Sequence, residues 1–213
     1  MRDAEIPKLY KQYFVDKQDE RKMLFEKIVE LYNPQKGIYP GSFVHITPSF
    51  FITDMTYIDN DKRISGFFRD ENVLSYIIKN KIYFNSPVVN WYQSDFSNEL
   101  PCNEKYFDIM FSFYSGFISQ SCKKYLKDEG IFVCNNSHGD ASIAFLDKDY
   151  ILIGVIKRNG IKFNITDRNL NTYFKKKDGS DLDKSKVLKK MMGEKYTKKG
   201  YAYIFKLSRR PKN

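Results

Sequence analysis

Short, mostly apolar segments recur along this chain, and longer segments with apolar residues at helical spacing separate them. Segments of the first kind are typical of buried strands. We predict five of them, at residues 37–39, 55–59, 88–94, 107–114 and 130–135. The fourth, FDIMFSFY, is nearly continuous in apolar character, as expected of a central parallel strand. Two later segments, 150–157 and 201–207, are also β-like, and the alternation in the second suits a sheet edge or an antiparallel hairpin.

Helices are predicted mainly between the strands. Residues 3–32 carry apolar side chains at helix-face spacing, and Asn33-Pro34 ends that pattern. A brief helix is expected to begin at Thr47-Pro48, with the threonine as its cap and the proline in its first position. Further helices are predicted at residues 61–80, 119–127 and 184–192.

This alternation predicts an α/β fold, with a three-layer α/β/α sandwich around a mostly parallel sheet. A chain of 213 residues, 42% of them hydrophobic, suits one sizeable core. We therefore expect an N-terminal helical cap over residues 1–34 and one α/β domain over residues 35–213.

The composition also bears on the class of protein. No apolar run approaches the roughly eighteen residues of a membrane span, and charges interrupt the N-terminal segment, so we expect a cytoplasmic protein without a membrane segment. Cys102, Cys122 and Cys134 lack CxxC spacing, and His45 and His138 are the two histidines of the chain. Reduced thiols are therefore favoured over a zinc site, and we predict no metal.

The net charge of +10 is concentrated at one end of the chain. Residues 1–173 hold 22 Lys and Arg against 22 Asp and Glu, whereas residues 174–213 hold 14 against 4. Clustered lysines can neutralise phosphates, so the segment is a candidate surface for nucleic acid or another polyanion. The alternative is a solvated surface, since lysine is also a common solvating residue.

Polar residues follow the first and second predicted strands. The turn Tyr39-Pro40-Gly41-Ser42 follows the first, and Asp59 ends the second. In a βαβ unit, such a turn brings backbone close to an adenosine-bearing cofactor, and such a carboxylate accepts hydrogen bonds from ribose hydroxyls. Two alternatives remain: Gly41 can serve a simple Pro-Gly turn, and Asp59 can cap the following helix.

With these polar positions, the order of elements over residues 36–207 resembles that of the class I S-adenosylmethionine-dependent methyltransferases. The resemblance implies a Rossmann-like sheet and S-adenosylmethionine as cofactor. It places the residues 39–42 turn, with its single glycine, at the family's glycine-rich cofactor turn, and Asp59 at the ribose. It also places Ser94 and Asp95 near the adenine and Ser112 at the start of a loop beside cofactor and substrate.

The segment 135–140, NNSHGD, is the densest cluster of hydrogen-bonding side chains, and it follows the fifth predicted strand. Open α/β sheets bind ligands at this end of their strands. His138 is therefore a candidate general base, Asn135 a candidate for orienting the acceptor, and Tyr114 a candidate in the neighbouring loop. The alternative is an Asx-type turn with a surface histidine.

Two functions remain open from the sequence. The first is a methyltransferase-like enzyme with an unknown acceptor, for which the basic segment favours nucleic acid. The second is a catalytically silent domain of the same fold that binds nucleic acid or a protein. An enzyme of another nucleotide-dependent class is disfavoured because the chain has no GxxxxGK[ST] phosphate loop.

Overall fold

The computed structural model describes residues 4–209, which contain one eight-stranded sheet. The strands are β1 (Lys36–Pro40), β2 (Asp54–Asp59), β3 (Val88–Gln93), β4 (Phe107–Ser112), β5 (Leu126–Cys134), β6 (Tyr150–Asn159), β7 (Lys162–Thr166) and β8 (Ala202–Leu207). They lie in the order β3-β2-β1-β4-β5-β8-β6-β7. Neighbours from β3 to β5 pair in parallel, whereas β8 is antiparallel to both β5 and β6, and β7 is antiparallel to β6. The predicted α/β fold with a mostly parallel sheet is confirmed.

Two features of the sheet differ from the sequence prediction. Strand β8 lies inside the sheet between β5 and β6, not at an edge. Strand β7 was not predicted, because its sequence KFNIT is short and has one buried side chain, Phe163. It forms an antiparallel hairpin with β6, so pairing with β6 stabilises a strand that buries little apolar surface.

The predicted continuous helix over residues 3–32 is wrong. Within the described residues, the chain forms a short helix α1 (Lys8–Tyr10), a π-helical turn (Lys11–Val15) and then helix α2 (Lys22–Tyr32). Between the π-helical turn and α2, Gln18 and Arg21 have left-handed backbone conformations, with φ of 51° and 57°. A helix cannot continue through such residues, so the segment folds back before α2.

Helix α2 ends as predicted, with Asn33 in the left-handed conformation that often closes a helix.

Other predicted helices are shorter than expected. Residues 61–80 form two helices, α3 (Arg63–Arg69) and α4 (Glu71–Asn80), because Asp70 is extended and its side chain caps α4 at the Asn72 N–H. Residues 119–127 hold the end of α5 (Ile118–Ser121) and a 3₁₀ turn, and β5 already begins at Leu126.

The remaining helices are α6 (Asp140–Leu146), which was not predicted, and α7 (Lys184–Lys190). A 3₁₀ turn covers Thr47–Phe50, as expected of a brief helix. However, the Thr47 hydroxyl does not cap it and lies 2.7 Å from the Tyr10 hydroxyl instead. A further 3₁₀ turn covers Leu170–Tyr173.

Alternation along the strands divides their buried side chains between two clusters, and a third cluster is formed by buried residues outside the strands. Ile38 belongs to one cluster with Ala141 and Ala144 of α6, whereas Tyr39 belongs to the other with Phe25 and other residues of α2. Successive side chains of a strand point to opposite faces, so both faces of β1 are covered. Burying each large apolar side chain contributes about 1.5–3 kcal/mol to this packing. No helix among residues 4–209 has the length and apolar character needed to cross a bilayer.

The N-terminal segment is held to the sheet by a buried guanidinium. The Arg21 side chain is 3% exposed and pairs with Asp19. The Asp19 carboxylate also accepts a hydrogen bond of 2.6 Å from Arg158 on β6. A buried charge is costly without a partner, so Asp19 compensates Arg21 and links the segment to the β6–β7 hairpin.

We predict that Asp19→Ala lowers the free energy of unfolding by about 3 kcal/mol, because it leaves the Arg21 charge buried and without its partner. Asp16→Ala is the matched control, since Asp16 pairs with Lys11 at the surface, where both side chains are about half exposed. Its effect should stay below about 1 kcal/mol. Urea unfolding at pH 7 measures both, and equal effects of the two substitutions would contradict the role assigned to Asp19.

Candidate functional site

The turn after β1 and the loop after β4 meet at the carboxyl edge of the sheet. Gly41 has a φ of +69°, and a Cβ built on it would lie 2.2 Å from the Ser115 Oγ. That hydroxyl donates a hydrogen bond of 3.0 Å to the Gly41 carbonyl. Gly41 is therefore required both by its backbone angle and by the close approach of the protein's own loop.

The N–H groups of this turn point towards β2. Those of Gly41 and Ser42 donate to the Ile58 carbonyl, at 2.7 and 3.3 Å. The N–H of Phe43 donates to Asp59 Oδ2 at 2.8 Å. Pro40 and Ser42 are buried, so the turn packs closely on its own chain. These three amide hydrogens are thus engaged within the protein.

Asp59 supports both this turn and the start of the next segment. Its Oδ1 accepts a hydrogen bond of 2.9 Å from the Asp61 N–H. It is not the cap residue of α3, which is Lys62. A carboxylate has about four acceptor positions, and two are used here, so the half-buried Asp59 retains capacity for a ligand's hydroxyl groups.

Ser94 and Asp95, predicted at the adenine, follow β3. The Ser94 N–H donates to the Asp59 carbonyl at 3.0 Å, which ties the two strand ends together. Asp95 Oδ1 accepts hydrogen bonds from the N–H and the hydroxyl of Ser97, and these bonds lower the pKa of Asp95. Asp95 therefore forms an Asx-type turn at the end of this strand.

Ser112 donates its hydroxyl to a buried carboxylate. Its Oγ lies 2.9 Å from Asp140 Oδ2, and the other oxygen of Asp140 accepts from the Ser119 N–H at 3.0 Å. Burial raises the pKa of Asp140 to about 6. Asp140, the first residue of α6, thus joins this helix to the end of β4 and to α5. Apart from the place of Asp140 in the segment 135–140, no sequence pattern pointed to this role.

Tyr39 lies in a buried polar cluster with His45 and Arg21, and the sequence did not single out the last two. The Tyr39 hydroxyl is 3.2 Å from His45 Nδ1 and 3.4 Å from Arg21 Nη1. His45 Nε2 lies 3.1 Å from the Glu20 carbonyl, which can only accept, so Nε2 carries the hydrogen. Burial and the nearby Arg21 charge hold the pKa of His45 well below its usual value.

His45 should therefore make stability depend on pH. Above about pH 6.5 it is neutral in both states, whereas below that value the unfolded chain gains a proton that the folded protein excludes. We predict that the stability of the native chain relative to His45→Gln falls by about 1.4 kcal/mol per pH unit below pH 6.5. Urea unfolding of both proteins between pH 5 and pH 8 measures this difference, in which other titrating groups cancel. A difference independent of pH would refute the buried neutral histidine.

Tyr114 and Asn135 line one pocket of about 300 Å³ beside the ends of β4 and β5. Tyr114 has a φ of +64°, and its N–H donates to Asn135 Oδ1 at 3.2 Å. We call this cavity the tyrosine pocket; its lining also includes Asn136, Ser137, Gly193, Glu194, Tyr196, Lys199, Gly200, Tyr201 and Tyr203. The structure thus brings Tyr114 and Asn135 together, from loops after adjacent strands.

His138 is not among the residues that line the tyrosine pocket. It is partly exposed, and its Nδ1 lies 3.1 Å from the Ser137 hydroxyl. That hydroxyl is also 2.9 Å from Asn135 Oδ1. The segment therefore has the local hydrogen bonds of an Asx-type turn while its first residue faces the pocket.

The basic C-terminal segment packs against the loop at residues 135–140. A Cβ on Gly139 would lie 2.6 Å from Cγ1 of Val187, a fully buried residue of α7. A Cβ on Gly193 would lie 2.2 Å from Asn136 Nδ2. These approaches fix the segment beside residues 135–140, a proximity that the sequence did not reveal.

A second cavity of about 430 Å³ lies in the basic segment, and we call it the lysine pocket. Its lining consists of Lys176, Lys177, Asp178, Lys186, Lys190, Met192, Gly193, Glu194 and Lys195. Lys176 does not contribute to the candidate polyanion surface of the basic segment, because it is buried and its Nζ lies 3.0 Å from Glu194. The helical spacing of Val187, Leu188 and Met191 predicts that all three dock on the body of the protein, but Leu188 and Met191 are exposed and Val187 alone is buried. Residues 210–213 of the basic segment lie outside the described residues.

No protein-family model matches this chain, and no curated protein matches it in sequence. Solved structures do match its fold. An N-methyltransferase, NodS from Bradyrhizobium japonicum in complex with S-adenosyl-L-homocysteine, is 10% identical with a TM-score of 0.52, over 97% of this chain and 94% of that one. A possible histamine N-methyltransferase from Thermotoga maritima is 9% identical with a TM-score of 0.53, over 95% of this chain and 96% of that one.

A putative O-methyltransferase from Klebsiella pneumoniae is 7% identical with a TM-score of 0.52, over 89% of this chain and 80% of that one. At such identities the similarity establishes the fold alone. The chain has the fold of the class I S-adenosylmethionine-dependent methyltransferases, and the resemblance read from the order of its elements is confirmed.

Proposed function

We propose that this protein is an S-adenosylmethionine-dependent methyltransferase that acts on nucleic acid. One observation carries the proposal: on a methyltransferase sheet, Asp59 at the end of β2 and a pocket with amide and tyrosine side chains share the carboxyl edge. Ligands of open α/β sheets bind at this edge. The basic segment beside the pocket supports nucleic acid as the acceptor.

Asp59 is the residue that fits the cofactor best. Its free acceptor positions suit the two ribose hydroxyls of an adenosine group. The other predicted contacts fit less well, because the amides of the residues 39–42 turn and the hydroxyl of Ser112 have partners within the protein. S-adenosylmethionine, when bound, would supply a methyl group already activated by its sulfonium.

The acceptor would lie in the tyrosine pocket, where the chain's task is positioning. The Asn135 amide oxygen receives three hydrogen bonds, from the Tyr114 N–H and from the N–H and hydroxyl of Ser137, so its NH₂ group remains to orient a substrate. His138 directly follows Ser137 of the pocket wall, and we propose it as the base that removes a proton where the acceptor atom requires it.

The wild-type protein should bind S-adenosylmethionine and S-adenosylhomocysteine in isothermal titration calorimetry. We predict that Asp59→Ala weakens binding by about 1.5–3 kcal/mol, the range for hydrogen bonds to a charged group. Asp178→Ala is the matched control, because Asp178 likewise accepts two local hydrogen bonds, from the N–H and the hydroxyl of Ser180, but lies in the basic segment and not at the end of β2. Thermal melts establish that each variant is folded. Unchanged affinity in folded Asp59→Ala would remove the ribose assignment.

A catalytically silent domain of the same fold is the second candidate. The specific observation in its favour is the turn after β1, where Ser115 occupies the space beside Gly41 and three successive amides donate within the protein. Absence of binding by the wild-type protein to either cofactor form in the same calorimetry would reject the enzyme and favour this candidate.

The basic segment is tested separately through the salt dependence of binding. Its helix α7 exposes four lysines: Lys184, Lys186, Lys189 and Lys190. We predict that the protein binds single-stranded DNA or RNA at 50 mM salt, and that the slope of log affinity against log salt is about −0.7 per phosphate contacted. Reversing the four charges to Glu should flatten the slope.

The control reverses four exposed lysines elsewhere, which changes the net charge equally: Lys8, Lys17, Lys148 and Lys162. This variant should keep most of the affinity, because those residues belong to four separate segments of the chain and none lies in the basic segment. Equal losses in the two quadruple variants would show that only net charge matters, and no binding by the wild type would remove nucleic acid as the favoured acceptor.

A further inference from the structure

The tyrosine pocket and the lysine pocket share a wall. Gly193 and Glu194 line both cavities, so the two openings lie side by side. One cavity presents aromatic rings and amides, and the other presents ammonium groups. This pairing matches the two chemically different parts of a nucleotide, a flat base and a charged phosphate.

The tyrosine pocket has a ring available for stacking. Tyr114 is 55% exposed although it belongs to the pocket lining. Its left-handed backbone conformation is uncommon for a residue with a large side chain, and the hydrogen bond from its N–H to Asn135 stabilises it. Strained residues of this kind occur at ligand-binding positions. Asn135 lines the same pocket, and because its amide oxygen accepts three hydrogen bonds within the protein, its NH₂ group remains as a donor for a base.

The lysine pocket can accept phosphate despite the acidic residue in its wall. Glu194 is paired with the buried Lys176 at 3.0 Å, so its charge is compensated before a ligand arrives. Four further lysines of the lining are exposed: Lys177, Lys186, Lys190 and Lys195. Their charge exceeds that of Asp178, the other acid in the lining, which leaves an excess of positive charge for phosphates.

We propose that the two pockets together bind one nucleotide of a single-stranded nucleic acid, with the base against Tyr114 and Asn135 and the flanking phosphates along the lysine pocket. The inference rests on the proposed nucleic-acid acceptor and specifies how it is held. A single strand is required because a base within a duplex is stacked and paired, and its face is not accessible to a tyrosine ring.

The proposal is tested with fluorescently labelled oligonucleotides. One is an ordinary single-stranded oligonucleotide, and the other has the same length and charge but abasic sites in its centre. Fluorescence anisotropy should show that the wild-type protein binds the base-bearing strand more tightly. Tyr114→Ala should weaken that binding roughly 5- to 150-fold, the range for the loss of one stacked base, and should leave the abasic strand almost unaffected.

Two variants make the test specific. Tyr114→Phe keeps the ring and should retain affinity for the base-bearing strand. Phe84→Ala removes a fully exposed aromatic ring from the loop that leads into β3, at the amino end of that outermost strand. This variant should leave the affinity for both oligonucleotides unchanged. Thermal melts of each variant establish that a loss of binding is not a loss of folding.

Several results would overturn the inference. Equal affinity of the wild type for the two strands, or unchanged binding by Tyr114→Ala, would mean that only the lysines contact the polyanion. Tighter binding to a duplex than to the single strand would exclude the base pocket as well. These outcomes are independent of the cofactor: binding that depends on Tyr114 without S-adenosylmethionine binding would support this inference and reject the enzyme.

Discussion

The buried guanidinium of Arg21 is the constraint on which the carboxyl edge of the sheet depends. It lies near Tyr39 of β1 and the imidazole of His45, and the rings of Phe113 and Tyr114 after β4 are 4.7 and 5.6 Å from its Cζ. A buried charge must be compensated, and Asp19, two residues before Arg21, provides the compensating carboxylate. One charge thus determines how the segment before α2 covers this edge, and it lies beneath the ring that we assign to the ligand.

Close approaches between glycines and side chains assemble the rest of the site. Because these glycines have no Cβ, Ser115 packs against Gly41, Val187 against Gly139, and Asn136 against Gly193. Each contact joins segments distant in sequence, and a Cβ at any of the three positions would separate them. The first approach closes the turn after β1 on the protein itself, whereas the other two hold the basic segment beside the tyrosine pocket. Ser115 therefore fills the space beside the turn where a cofactor is expected, whereas the tyrosine pocket, where an acceptor is proposed, is an open cavity.

All strands except β7 were predictable, because each of them depends on a local apolar run between turn signals, whereas β7 depends on its pairing with β6. The breaks at Gln18 and Arg21 were not, since residues 16–22 contain no glycine or proline to mark a turn, and the Arg21 side chain finds Tyr39 and His45 as partners further along the chain. Likewise, the division of residues 61–80 into two helices depends on one capping side chain, Asp70. The pattern predicted which faces are apolar, but not where the chain turns to bury a charge.

The sequence alone determined the α/β class, the succession of the five parallel strands along the chain, the acid at the end of β2 and the excess of lysine in the last 40 residues, because these depend on periodicity and composition. Only the tertiary structure decided that the lysines stand beside Asn135, that Lys176 is used within the protein, and that Ser112 and Asp95 have internal partners. Those outcomes depend on hydrogen bonds and close contacts between residues far apart in the chain, which no local pattern encodes.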